Sequence, residues 1–154
     1  MRTFRFRTAV LGVLVATCLG LVVTPSASAA PAALPTCTSW STYFADGTTN
    51  YVVHVPTLGR GTFNRNCSLR QGDRNDAVKV LQRALRWCLG DIDVEVDGQY
   101  GPITRGSVLD LQQWVNDNQG GNLQEDGEFG PATAAYLPFP VWTYPGNVMM
   151  LWCE

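Results

Sequence analysis

The residues that come closest to a chemically active set are three alternating acids, Asp93, Glu95 and Asp97. Together with Gly98 they mimic the opening of a calcium-binding loop. That loop needs a bidentate carboxylate at its twelfth position, where this chain has Thr104 instead. The same acids could be considered as a glycosidase pair, but alternate residues of an extended segment share one face only a few ångströms apart. We therefore interpret them as a solvated face.

The sequence also shows no pattern typical of a nucleophilic active site or of a metal site. His54 is the only histidine, and no serine or cysteine nucleophile pattern lies near it. The cysteines have no Cys-x-x-Cys spacing, which argues against a zinc site. We expect no catalytic residues, no metal and no cofactor, and we predict that the protein is not an enzyme.

The first 29 residues have the pattern of a secretory signal peptide. Three arginines precede an apolar run, which Ala27-Ser28-Ala29 follows. The run has about 15 residues, fewer than the roughly 20 that a transmembrane helix needs. We predict cleavage after Ala29; the less favoured alternatives are retention as an anchor and lipidation at Cys18.

The charge balance after that cleavage excludes several classes of partner. Of the 11 basic residues in the 154-residue chain, three precede residue 30, so 8 basic and 13 acidic residues remain, a net charge of −5. A nucleic-acid binder would need an excess of Lys and Arg. Electrostatics cannot hold this chain on an anionic wall or membrane either, so binding there would need specific contacts. We expect a secreted monomer, extracellular or associated with the cell wall, with no nucleic acid and no membrane partner.

The four cysteines of the exported part predict two disulfides. Cys37 and Cys67 bracket a segment rich in Thr, Gly and aromatic residues. Cys88 ends the first predicted helix, which the tail carrying Cys153 can reach on its return. Four cysteines allow three connectivities, and among these we expect Cys37–Cys67 and Cys88–Cys153.

The strongest pattern is an internal repeat. The octapeptide DGQYGPIT at 97–104 recurs 29 residues later as DGEFGPAT at 126–133. Each Asp-Gly predicts a turn with a positive φ at glycine, and each Pro suits the first position of a helix. We also expect the second glycine of each copy, Gly101 or Gly130, to adopt a backbone geometry that is closed to β-branched residues.

The repeated turns lie between predicted helices. Apolar residues recur at helical spacing in the first helix, and the second is expected from Pro102 to about residue 116. A short third helix is expected from Pro131 to before Pro138. Gln82 and Gln112 stand beside core leucines, where they are expected to tie helix ends to loops rather than to contact a ligand.

The remaining segments are extended. A strand-like run over 51–55 and an Asp-Gly turn before it predict a hairpin. The predicted organisation is a signal peptide at 1–29, a linker and β-hairpin-like extension at 30–68, a helical domain at 69–137, and a C-terminal tail at 138–154 packed on that domain.

Four ordered motifs within 69–137 carry a family resemblance. They are Leu69-Arg70-Gln71-Gly72, Val78-Lys79-Val80-Leu81-Gln82, Val108-Leu109-Asp110-Leu111-Gln112 and the two Asp-Gly turns. The segment resembles the three-helix peptidoglycan-binding domain of bacterial wall hydrolases, although Leu111 stands where an aromatic is usual and the loop after Trp114 is longer. The segment 37–67 with its cysteine pair is similar to that of stand-alone secreted actinobacterial members. The resemblance implies a mainly α fold, a three-helix bundle with an internal repeat plus a small disulfide-closed β-extension.

The resemblance also implies binding of cell-wall peptidoglycan through its peptide stems, without catalysis. Aromatic side chains on the turns would cover sugar or peptide surface, and an arginine would pair with a stem carboxylate. The alternative is a secreted protein-interaction or inhibitor-like domain that reuses the fold, because a fold does not fix a function. The candidate contacts on or beside the turns are Gln99, Tyr100, Arg105, Gln113 and Trp114.

Overall fold

The chain folds as a four-stranded sheet combined with three helices over the residues that the computed structural model describes, 33–47, 49–146 and 148–154. The predicted signal peptide lies outside these residues. In chain order the elements are β1 (Ser39–Phe44), a 3₁₀ turn (Ala45–Gly47), β2 (Tyr51–Thr57), α1 (Asp76–Cys88), α2 (Pro102–Gln119), α3 (Pro131–Ala134), β3 (Pro140–Thr143) and β4 (Met149–Cys153).

The sheet is antiparallel throughout, with its strands in the order β1-β2-β3-β4. Thr42 of β1 lies opposite His54 of β2, and Val52 of β2 lies opposite Trp142 of β3. Strands from the two ends of the described chain therefore meet at the β2–β3 pair, and the helices are inserted between them in sequence.

The prediction of a mainly α fold is wrong, because the C-terminal segment supplies two strands to one four-stranded sheet. A two-stranded hairpin is marginal on its own, and adding β3 and β4 gives it a continuous ladder with a buried face. Both added strands are short, and β3 pairs with β4 through an irregular register between Pro140 and Trp142. A strand of four or five residues leaves too little alternation in the sequence to be identified.

The helices begin and end at residues suited to these positions. At the start of α1, the Asn75 side chain accepts a hydrogen bond from the Val78 N–H at 3.1 Å. Helix α2 runs to Gln119, three residues beyond the predicted end. It stops there because Gly120 takes a left-handed conformation with φ of 63°. Helix α3 is a single turn.

The glycines of the repeat that need positive φ are the first of each copy. Gly98 and Gly127 have φ of 81° and 67°, whereas Gly101 and Gly130 have extended backbones that any residue can adopt. The expectation of forbidden geometry at Gly101 and Gly130 is therefore wrong. A Cβ added at Gly127 would also lie 2.9 Å from the Arg105 carbonyl oxygen.

Two disulfides fasten the sheet to the rest of the fold. Cys37 is bonded to Cys67 just before β1, with 5.0 Å between the Cα atoms. Cys88 at the end of α1 is bonded to Cys153 at the end of β4, with 5.8 Å between the Cα atoms. Between them lies one core, in which α1 packs on β2 and the buried Leu81, Leu85, Val108, Val115 and Val141 come together.

Candidate functional site

A buried glutamine organises the first Asp-Gly turn. The Gln82 side-chain amide nitrogen donates to Asp97 Oδ1 at 2.8 Å and to the Gln99 carbonyl at 3.0 Å. Its oxygen accepts a hydrogen bond from the Gly98 N–H at 2.8 Å. Asp97 Oδ1 also accepts from the Gln99 N–H, and this bond, followed by that from Gln82, holds the pKa of Asp97 below its usual value. The turn is thus tied to α1 by one side chain.

The second turn is held in the same way. Gln112 donates to Asp126 Oδ1 at 3.0 Å and to the Glu128 carbonyl at 2.9 Å, and it accepts from the Gly127 N–H at 2.8 Å. The expectation that Gln82 and Gln112 hold the loops is therefore confirmed, but both residues lie within their helices and not at the helix ends. The turn acids serve the fold, and no group of three or more potential metal ligands occurs among the described residues.

Tyr100 links the two turns from inside the core. It is 1% exposed, and its hydroxyl donates to the Gly127 carbonyl at 2.8 Å. Burial, followed by the nearby charge of Asp126, raises the pKa of this hydroxyl well above its usual range. A side chain so enclosed presents no surface to a ligand, so Tyr100 is a core residue and not a candidate contact.

The other predicted contacts occupy separate places around the turns. The Arg105 guanidinium donates through Nη2 to the Asp126 carbonyl at 2.9 Å, so it braces the second turn. Gln99 is exposed on the first turn and donates to Asp97 Oδ2 at 3.2 Å. Gln113 is exposed on α2, and Trp114 beside it is 51% exposed. The structure does not gather these side chains into one pocket.

Trp114 lines a cleft of about 540 Å³, which we call the α2 cleft. Ser107, Asp110, Leu111 and Trp114 face it because they follow one another at helical spacing along α2. The opposite wall comes from the end of α1 and the segment after α3. The lining residues from those segments and from the end of α2 are Leu89, Asp91, Gln119, Tyr136 and Pro138.

The α2 cleft combines aromatic surface with negative charge. Trp114 and Tyr136 are partly exposed, at 51% and 38%. Asp91 accepts a hydrogen bond from the Ser107 hydroxyl, which orients one of the two carboxylates; Asp110 is exposed. No Lys or Arg is among the residues that line the cleft. Such a site favours a ligand with an ammonium group next to apolar or planar surface.

Sequence reasoning missed most of this cleft. The spacing of Ser107, Asp110 and Trp114 along α2 is visible in the sequence, but Asp91 and Tyr136 come from segments whose approach to α2 depends on the tertiary fold. Tyr136 falls within the predicted third helix, whereas in the structure that helix ends at Ala134 and Tyr136 follows it.

Among the described residues, no helix is both long and apolar enough to cross a membrane.

Comparison with known proteins agrees with the helical part of the fold. Residues 74–137 match the model of a family described as "Putative peptidoglycan binding domain". The chain is also 37% identical over 81 residues to a Kitasatospora aureofaciens protein named "Uncharacterized protein in bpoA1 3'region". That match covers 48% of this chain and 64% of the relative, so it spans under two thirds of the relative's length. No solved structure matches the chain significantly.

Proposed function

We propose that this protein is a secreted, non-catalytic binder of cell-wall peptidoglycan that recognises peptide stems, because residues 74–137 match the model of the peptidoglycan-binding domain family. The family match is the observation that carries the proposal. The two disulfides suit an oxidising location outside the cytoplasm.

The α2 cleft supports the choice of peptide stems. A stem offers amide groups, short aliphatic side chains and the amino group of a diamino acid. Asp91 and Asp110 would accept hydrogen bonds from that ammonium group, and Trp114 and Tyr136 would cover the aliphatic parts. Gln99, Arg105 and Gln113 are proposed as further contacts outside the cleft.

The side chains that could act as nucleophiles, acids or bases are held in disulfides or hydrogen bonds, which supports a role without catalysis. All four cysteines after residue 30 are in disulfides, so their thiols are not available as nucleophiles. The His54 ring pairs through Nδ1 with the Thr42 hydroxyl at 3.2 Å. Asp97 and Asp126 are hydrogen-bonded by the glutamines that hold the turns.

A titration with a soluble stem tetrapeptide tests the cleft directly. In ¹H–¹⁵N spectra, the Trp114 indole N–H should shift as the tetrapeptide is added. Trp114→Ala and Asp110→Asn should each weaken binding roughly tenfold, the equivalent of one charge-assisted hydrogen bond or one aromatic contact. Asp117→Asn is the matched control, because Asp117 is an exposed acid of the same helix that does not line the cleft.

Equal weakening by Asp110→Asn and Asp117→Asn would show that the carboxylates act only through net charge, which contradicts the cleft as the site. Peptide-induced shifts confined to residues outside the α2 cleft would place stem binding elsewhere on the molecule.

A further inference from the structure

A second surface with binding chemistry lies on the sheet, away from the turns. Its rings contact one another in series: Trp40 and His54 have centroids 6.0 Å apart, His54 and Trp142 6.1 Å, and Trp142 and Trp87 5.8 Å. An arginine stands at Trp40 and another at Trp142. We call this surface the Arg–Trp strip; its members are Trp40, His54, Arg60, Arg83, Trp87 and Trp142.

The strand register creates the strip. Residues directly opposite each other in an antiparallel pair point to the same face, as do alternate residues of one strand. Because Thr42 lies opposite His54 and Val52 opposite Trp142, the side chains of Trp40, His54 and Trp142 share one face of the sheet. Helix α1 adds the remaining ring, Trp87, which is 39% exposed.

Two positive charges lie over these rings without an acidic partner. The Arg60 Cζ is 4.1 Å from the centroid of Trp40, and the Arg83 Cζ is 5.7 Å from that of Trp142. Neither guanidinium makes a hydrogen bond or an ion pair with any described residue. A guanidinium stacked on an indole is held in position while its N–H donors stay available for a planar anion.

Both arginines act electrostatically on His54 at the centre of the strip. After burial, the charges of Arg83 and Arg60 are the causes that lower the pKa of His54, which lies between the two stacked pairs. The half-buried His54 ring therefore lies in the middle of the strip, with a cation toward each end of the Trp40–His54–Trp142 series. The strip differs in charge from the α2 cleft, whose charged lining residues are acidic.

We propose that the Arg–Trp strip binds an anionic polysaccharide, whose apolar sugar faces lie against the exposed indole of Trp87 while its carboxylates pair with the two guanidinium groups. Four of the six residues lie outside the segment that matches the family, so the surface goes beyond the function proposed above.

One other class of partner fits the strip less well. A protein partner uses pockets for its anchoring side chains. The half-buried rings of Trp40, His54 and Trp142 instead fill the space between them by packing edge to face.

The test is calorimetric titration of the protein lacking residues 1–29 with two matched glycans. The first is wall glycan strands freed of stems by an amidase, in which every second sugar carries a free lactyl carboxylate. The second is chitohexaose, which has the same sugar backbone without carboxylates. We expect the first to bind, with an affinity that falls as salt is added, and the second to bind at least tenfold more weakly.

Variants locate the binding. Arg60→Gln and Arg83→Gln should each weaken glycan-strand binding roughly tenfold, as expected for a lost charge-assisted hydrogen bond. Arg74→Gln, at an exposed arginine outside the strip, should leave it unchanged. Trp114→Ala should also leave it unchanged, which separates this surface from the proposed stem site. Thermal melts of the arginine variants should stay close to that of the parent, because each guanidinium loses only its stacking on one indole and has no hydrogen-bonding or ionic partner among the described residues.

Four results would overturn the proposal. Absence of glycan-strand binding would reject it outright, as would equal affinity for chitohexaose. Unchanged binding by both arginine variants would place the glycan elsewhere. Linear polyphosphate that binds as tightly as the glycan strands would mean that the arginines recognise charge without sugar.

Discussion

Gln82 and Gln112 are equivalent residues: each lies buried on a long helix and holds one Asp-Gly turn through the same set of hydrogen bonds. Each donates to an aspartate carboxylate and to a backbone carbonyl, and each accepts from the N–H of the turn glycine at 2.8 Å. The internal repeat of the sequence is therefore also a repeat of tertiary contacts.

Replacement of either glutamine should destabilise the fold. In Gln82→Leu and Gln112→Leu, the buried glycine N–H loses its acceptor, and the unsatisfied group should cost about 1–3 kcal/mol of unfolding free energy. Urea denaturation measures this. Gln113→Leu, at an exposed position of the same helix, is the control and should change stability by less than about 0.5 kcal/mol. Similar losses at 112 and 113 would contradict the structural role of the buried amide.

The two glycines of the second turn should respond differently to alanine. Gly127→Ala should cost roughly 2 kcal/mol or more, because the residue has φ of 67° and the new Cβ would meet the Arg105 carbonyl oxygen. Gly130→Ala should cost less than about 1 kcal/mol, since its backbone is extended and no atom lies within 4 Å of the added Cβ. Midpoints of urea unfolding compare the pair, and a larger loss at 130 would contradict the turn geometry.

Elements that depend on interactions between residues close in sequence could be predicted, and those that depend on distant residues could not. Helices α1 and α2 could be placed from the sequence, because apolar spacing and the residues before and after a helix are local signals. The contribution of β3 and β4 to the sheet could not, since strand pairing between residues 52 and 142 depends on contacts distant in sequence.

In the candidate site, too, some residues could be identified from local sequence and others depend on the tertiary fold. Trp114 was identified because it is a large aromatic beside the apolar stripe of α2, and the structure places it in a cleft. Tyr100 was misjudged, because an aromatic in a turn is exposed or buried according to what packs over it. Here its hydroxyl meets the Gly127 carbonyl 27 residues away.

The ionisation of His54 should make stability depend on pH. Burial, followed by the charges of Arg83 and Arg60, lowers its pKa in the folded state below 6.5. Above pH 6.5 the ring is neutral in both states and the full stability is present. As the pH falls below 6.5, the unfolded chain binds a proton that the folded one resists, so stability declines.

Because His54 is the only histidine, an NMR titration of its ring protons gives this pKa without ambiguity. We expect a midpoint below 6.5, and we expect His54→Gln to lose less thermal stability than the parent between about pH 7.5 and about pH 5.5. A midpoint at or above 6.5 would contradict the environment described for the ring.

Loss of either disulfide should destabilise the fold, by about 2–4 kcal/mol in the usual range. The Cys88–Cys153 bridge closes 65 residues and Cys37–Cys67 closes 30. From loop entropy alone, the paired alanine variant at 88 and 153 should lose about 0.7 kcal/mol more than that at 37 and 67. Urea unfolding compares the two, after non-reducing peptide mapping has established the bridges. A peptide that links Cys37 to Cys88 or Cys153 would contradict this connectivity.

Co-sedimentation of residues 30–154 with purified insoluble peptidoglycan tests the central claim most directly. The protein should pellet with the sacculi and should release no soluble muropeptides. At about 0.5 M salt it should keep more of its binding than a contact driven by counterion release would, since a chain with a net charge of −5 is not held on the wall by its overall charge. Protein that remains wholly in the supernatant at low salt would contradict peptidoglycan binding, and released muropeptides would contradict a role without catalysis.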